Sequence, residues 1–387
     1  MSVIQVGDYK LNRPETIETP AMLVYEDMVR HNIREMVGIC GSPGRLIPHI
    51  KTHKSPSVLR MQMDAGINAF KCATLSEAEM IASAGAQELL IAFPILHPKK
   101  IERLMALKTS YPLVNIRVIA GDLKHVELLS AGAVSYRQRL SVYLDLEIGS
   151  EHGTGVPPGD AAEELYVAIS ETPGLSVAGI HAYDGRVGET VEPESRREAV
   201  EKNLEHVYTL RDRVNKRGLD VPDIVAGGSW SFRFYLKDPI IRVSPGNWIY
   251  FDLVNSVMTD LNFKPACAIL GQVVDAQPLK DTVTIDIGQK GIAHDPRVGE
   301  RLRVLGKESS ELVGQSEEHG ILRLNGEQLE IGDFFLASPG HACMTTVKYP
   351  EALVINENGD IIDQFDHTAR DRVHRSGSIL YTEKSME

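Results

Sequence analysis

Leu46-Ile47-Pro48-His49-Ile50-Lys51-Thr52-His53-Lys54 runs from aliphatic residues into four titratable side chains, His49, Lys51, His53 and Lys54. An apolar run that ends in such a cluster fits a buried parallel strand delivering polar groups at its C-terminal end, where barrel active sites lie. A lysine desolvated at that place has a lowered pKa, and its neutral amine is free to form a Schiff base with a carbonyl cofactor. On spacing alone the commoner meaning is two solvated lysines and two surface histidines on a loop. Both readings stay open at this point.

Outward from this segment, short apolar runs alternate with amphipathic stretches. The runs are 21–25, 46–51, 69–72, 89–93, 116–119, 142–146, 177–183, 224–226 and 241–244. Between them fall helical patterns such as 75–84, opened by Thr74 with Glu77 three residues on, and the long charged stretch 194–217. Repeated β–α units of this kind predict an α/β fold, a (β/α)8 TIM-type barrel over residues 20–250. After Phe263 the pattern turns strand-like without helices, at 269–274, 282–287, 320–323, 334–337 and 351–355, with turn signals at Asn325-Gly326 and Asn358-Gly359. This predicts a C-terminal β-rich domain over 251–375, joined by residues 1–19. The charged stretch from Asp366 reads as a surface extension.

The 387 residues suffice for one large and one smaller core, and 53 acidic against 41 basic side chains, a formal net charge of −12, give no general attraction for nucleic-acid phosphates or an anionic membrane. A small-molecule enzyme fits better. Cys40, Cys72, Cys267 and Cys343 lack paired spacing, which argues against a disulfide framework, and neither a signal peptide nor a long apolar span is evident. A cytoplasmic location is the expectation.

The string Pro48-His49-Ile50-Lys51-Thr52-His53-Lys54 resembles the cofactor-lysine motif of the D-threonine aldolase and D-serine dehydratase family, fold-type III pyridoxal-phosphate enzymes related to alanine racemase. Further similar strings are Thr19-Pro20-Ala21, Phe70-Lys71-Cys72-Ala73-Thr74 with Ser76-Glu77-Ala78-Glu79, and Gly179-Ile180-His181-Ala182-Tyr183-Asp184-Gly185. In this family the first strand lies outside the barrel, which reconciles nine candidate strands with eight. The resemblance implies a pyridoxal 5'-phosphate site with Lys51 as its covalent anchor and His49 and His53 as further catalytic candidates. It also implies a phosphate cradle at Gly227, Gly228 and Ser229, a second phosphate segment at Ser244, Gly246 and Asn247, and contacts from Tyr183, Tyr250 and Asp252. The ordinary alternatives are a turn at the glycines and packing roles for the tyrosines and Asp252.

His341-Ala342-Cys343 places an imidazole and a thiol two residues apart. Such a pair can converge on a divalent ion and favours zinc, with manganese or magnesium as alternatives; taken alone, the spacing is common and the cysteine is as easily a small buried hydrophobe. It is similar to the metal pair of the dehydratase branch, whereas characterised aldolases resemble H-x-D. Glu318-His319 also looks like a family segment, its ordinary meaning being a solvated hairpin turn. One departure stands out: the family's D-x-N-x-G-M-x-R-x-G segment is matched here by Asp145 to Gly155 without the arginine, with His152 as its candidate replacement.

The resemblance therefore implies a metal-assisted lyase acting on D-3-hydroxy amino acids. Retro-aldol cleavage to glycine and an aldehyde ranks first, dehydration to a 2-oxo acid and ammonia second, and an amino-acid racemase or a cofactor-homeostasis protein further off. A homodimer is expected from fold-type III relatives.

Overall fold

The computed structural model describes residues 2–148, 153–185 and 190–373. The chain divides into two compact units. One consists of Val37–Lys51, Gln62–Gly246 and the described residues from Asp371 onward; the other consists of Met1–Met36, Thr52–Met61 and Asn247–Arg370.

In the first unit seven described strands form one parallel sheet. Their order is Ile241–Val243, Ile224–Ala226, Leu175–Ala182, Leu140–Asp145, Asn115–Ala120, Glu88–Ile91 and Ala69–Cys72. Residues 46–49 close the gap between its two edges: Leu46 bridges Val243 and His49 bridges Lys71, both in parallel. The Ile47 N–H donates to Val243 O at 2.9 Å, and the Lys71 N–H donates to Pro48 O at 3.0 Å. The eight-position barrel is thus the fold read from the sequence. The interior is a packed layer in which Ile47, Leu90, Ile119, Tyr143, Ala178 and Val225 come from different strands, as a filled (β/α)8 barrel requires. At the N-terminal ends of the strands, Glu88, Arg117, Asp223 and Arg242 form an ion-pair network around the Tyr143 hydroxyl. That end of a barrel serves stability.

Helix signals held at their capping residues. Thr74 caps Leu75–Ser83, accepting from the Glu77 N–H at 3.2 Å, while the Glu77 carboxylate accepts from the Thr74 N–H at 3.2 Å. The long charged helix is Pro193–Lys216.

Gly179 sits where Leu175–Ala182 bulges against its neighbour. At its φ of 139°, a Cβ would lie 1.8 Å from the backbone oxygen of Asp223. Left-handed strain and that collision add, so Gly179→Ala is expected to cost more than about 2 kcal/mol. Urea unfolding checks this, and an unchanged midpoint would refute it.

In the second unit a sheet carries Glu311–Gln315, Gly320–Arg323, Thr282–Ile285, Cys267–Gln277, Ala21–Tyr25, Glu351–Ile355 and Ile361–Asp366 in that order. Phe334–Pro339 pairs with both Cys267–Gln277 and Leu302–Val304. The strand Ala21–Tyr25 therefore belongs to this sheet, antiparallel to Cys267–Gln277 and parallel to Glu351–Ile355, and stands outside the barrel sheet. Asn358-Gly359 does turn a hairpin, but Asn325-Gly326 connects two strands that do not pair. The tail corrects the sequence reading: Asp366 ends a strand, and His367 and Ala369 are buried. Residues 374–387 lie outside the described part.

Candidate active site

Strand pairing stops at His49, and Ile50–Thr52 make a short 3-10 turn, so Lys51 stands just past the strand end. Pro48 has no N–H to donate to the ladder, which helps end the strand there. The His49 ring is nearly buried and its Nδ1 accepts from the Lys51 N–H at 3.2 Å, which leaves Nε2 as the protonated nitrogen of the neutral ring. Lys51 itself is exposed. The desolvation expected of it is found instead at Lys71, which is 2% exposed and whose pKa is pushed down to about 7, first by burial and then by repulsion from Lys51. Sequence reasoning had given Lys71 no role, although a lysine between Phe70 and Cys72 inside a buried run is a visible signal.

Around Lys71 the structure gathers several expected residues of the barrel unit. Lys71 Nζ donates to Ser244 Oγ at 3.0 Å and stands 4.5 Å from the Tyr183 ring centroid. Ser244 Oγ donates to Gly227 O at 3.1 Å, and the Gly246 N–H donates to Ser229 Oγ at 3.3 Å. Gly227 has φ 77°, and a Cβ on Gly228 would meet the Tyr183 ring at 3.0 Å. Both glycines are therefore needed, one for its backbone and one for close approach. Asp184 holds this turn by accepting from the Gly228 N–H at 3.2 Å and Ser231 Oγ at 2.8 Å. Burial raises its pKa to about 6 despite these bonds. Nearby in the barrel, buried His181 Nδ1 and Asp145 Oδ1 are 2.7 Å apart. Burial works against the Asp145 carboxylate, but His181, Thr154 and Lys71 outweigh it and lower its pKa. His152 lies outside the described residues.

The second unit holds the remaining candidates. His341 Nδ1 is 2.6 Å from Asp295 Oδ2. Burial opposes protonation of His341, yet Cys343, Asp252 and Asp295 together raise its pKa to about 10. Cys343 Sγ lies 3.2 Å from Thr52 Oγ1, on the residue after Lys51 in the chain, and 3.8 Å from Asn247 Nδ2. Asp252 accepts from the Ala342 N–H and from Asn247 Nδ2, each at 2.6 Å, and caps Leu253–Ser256 through the Asn255 N–H. It braces the His341–Cys343 turn. Tyr250 is buried, and its hydroxyl finds no partner among the described residues. The His53 ring is buried, with Nδ1 3.1 Å from both the N–H and the carbonyl of Ser55, and its pKa is pushed down to about 3 by burial, then by His367. Glu318 and His319 are exposed in the turn between two paired strands, Glu318 pairing with Lys290.

Residues 24–254 match the family model of the alanine racemase N-terminal domain. The chain belongs to that family. Beyond this alanine racemase-type domain, residues 266–355 match the model of a serine dehydratase domain. The chain is 26% identical over 366 residues to 3-hydroxy-D-aspartate aldolase of Paracoccus denitrificans, covering 92% of each. It is 24% identical over 371 residues to D-threo-3-hydroxyaspartate dehydratase of Delftia sp., covering 89% of this chain and 96% of that one. In fold it resembles the crystal structure of D-threonine aldolase from Filomicrobium marinum, with a TM-score of 0.85, 23% identity and coverage of 95% and 99%.

The alanine racemase-type fold implies pyridoxal phosphate, and the residues fit it. A reachable amine follows the closing strand, and a buried ammonium, a serine hydroxyl and a glycine turn that admits no Cβ share one end of the barrel unit. For a metal the donor chemistry fits in part. Thiol and imidazole are adjacent, and Asp295 orients the imidazole as carboxylates do behind metal-bound histidines. Among the described residues no group of three or more His, Cys, Asp or Glu side chains is placed to hold an ion. A pair of ligands leaves positions for substrate or water.

Proposed function

We propose that this chain is a pyridoxal-phosphate-dependent lyase acting on D-3-hydroxy amino acids, and that it cleaves the Cα–Cβ bond to release glycine and an aldehyde. The observation that carries this reading is Lys51, set just beyond the strand that closes the barrel, in a chain alike over nine-tenths of its length to an aldolase of a 3-hydroxy-D-amino acid. When bound, pyridoxal phosphate supplies the electron sink for the Cα bond that breaks.

The chain's own residues do the rest. Lys51 Nζ anchors the cofactor, and His49 steadies that turn through the Lys51 N–H while presenting its Nε2–H. Gly227, Gly228 and Ser229, with Ser244, Gly246 and Asn247, hold the phosphate. His341 and Cys343 would hold a divalent ion, zinc by preference for a thiolate, and such an ion would lower the pKa of a hydroxyl oxygen bound to it. His53 remains neutral across the physiological range, but a base with a pKa near 3 is a poor acceptor for a hydroxyl proton. We therefore assign it a packing role.

Cys343 itself favours a second reading. Its pairing with His341 resembles the dehydratase branch, and a D-threo-3-hydroxyaspartate dehydratase has been solved as a cysteine-to-alanine variant in a metal-free form. In that reading Lys51 Nζ would remove the Cα proton and the 3-hydroxyl would leave as hydroxide, and water would then hydrolyse the resulting imine to a 2-oxo acid and ammonia. Product analysis separates the two. D-threonine and 3-hydroxy-D-aspartate are expected to yield glycine with acetaldehyde or glyoxylate, and their L-enantiomers nothing. Ammonia with a 2-oxo acid would select the dehydratase, and turnover of both enantiomers would overturn the stereochemical assignment.

A further inference from the structure

Lys71 occupies the middle of the strand Ala69–Cys72 with only 2% exposure. Among the described residues no carboxylate lies within 4.0 Å of its Nζ. A buried ammonium without a counter-ion costs several kcal/mol. The Ser244 hydroxyl and the Tyr183 ring face satisfy part of what three N–H donors need. Burial and the charge of Lys51 both press on the ammonium, against the pull of Asp145 and Asp184. An incoming acceptor would relieve that cost. The same side chain touches Ser244, which bonds Gly227, and faces Tyr183, which abuts Gly228. Its backbone is bridged to His49, two residues before Lys51. Donors, small-residue turn and reachable amine thus gather in one part of the barrel unit.

We propose that Lys71 is a positioning residue for the cofactor: its ammonium donates, without a covalent bond, to an acceptor atom of the phosphorylated pyridine aldehyde held by Lys51. This rests on the assignment of pyridoxal phosphate to the barrel. The shared chemistry is that of an electron-rich acceptor, either a phosphate oxygen or an atom of the ring.

The experiment compares cofactor-free wild type with Lys71→Met, a near-isosteric neutral change, and with Lys71→Gln, which keeps an N–H donor should methionine prevent folding. Each is titrated with pyridoxal phosphate and with pyridoxal, followed by absorbance, and melted with and without ligand. Loss of a charge-assisted hydrogen bond is expected to weaken binding by about tenfold or more. The ligand-induced rise in Tm should shrink, while the ligand-free Tm stays level or rises because a buried charge is gone. A loss confined to pyridoxal phosphate assigns the donor to the phosphate, and an equal loss with both ligands assigns it to the ring. Unchanged affinity for both, with borohydride still fixing the cofactor to Lys51, overturns the role of Lys71 alone. A reduced adduct on Lys71 in wild type overturns this role and the Lys51 assignment together.

Discussion

Lys51→Ala is expected to abolish the visible absorbance of the lysine-bound cofactor and to lower turnover on the order of 10^4-fold or more, since the covalent anchor is lost. The structure distinguishes Lys51 from its neighbours. Lys54 has φ 49° and is turned inward, with Nζ 3.4 Å from Ala369 O, and Lys71 is already engaged with Ser244. Lys51 is the exposed residue of the three. Borohydride reduction of the cofactor-loaded protein followed by peptide mapping should therefore find the adduct on Lys51. Its appearance on Lys54 would refute the assignment, as would a full absorbance band in Lys51→Ala. Melting of the variant in the absence of cofactor should match wild type, because an exposed side chain leaves no cavity.

The barrel was legible because its strands are short buried runs bounded by turn residues: 69–72 and 224–226 appear with the bounds the sequence suggested. So did 320–323 and 351–355 in the other unit. Illegibility had physical causes. Ile361–Asp366 is exposed at every position but Phe365, so it shows no alternation, and Leu302–Val304 is too short to stand out. The reading of 46–51 as one strand failed after His49, where pairing ends and a 3-10 turn at Ile50–Thr52 carries Lys51 past the strand end. Site partnerships were hidden by distance along the chain. His181 lies 36 residues from Asp145, and the Ala342 N–H that Asp252 accepts lies 90 residues on. A sequence string gives Asp252 as a carboxylate beside a cofactor motif; only the fold shows it bracing the turn between His341 and Cys343.

That bracing bears on the prediction with the sharpest chemistry. If His341 and Cys343 hold a divalent ion that acts on the substrate hydroxyl, chelation should remove lyase activity and leave the visible band, since in the proposed site Lys51 and the Gly227–Ser229 turn anchor the cofactor separately. Zinc or manganese should restore turnover. Lewis-acid help at a hydroxyl contributes several kcal/mol to the barrier, and at roughly 1.4 kcal/mol per tenfold Cys343→Ala should slow turnover by about 100-fold or more. A cysteine that merely packs against Thr52 would lose far less, because Cys343 is only half-buried and its removal opens little cavity. Cys343→Asp discriminates further. Asp252 still holds the Ala342 N–H in that variant, so the turn keeps its shape while a carboxylate replaces the thiolate, and the preferred ion should move from zinc toward manganese with part of the activity retained. Metal content measured alongside rates decides the matter: full activity in a verified metal-free sample, or in Cys343→Ala, would leave His341 and Cys343 as structural residues and remove the metal from the proposed reaction.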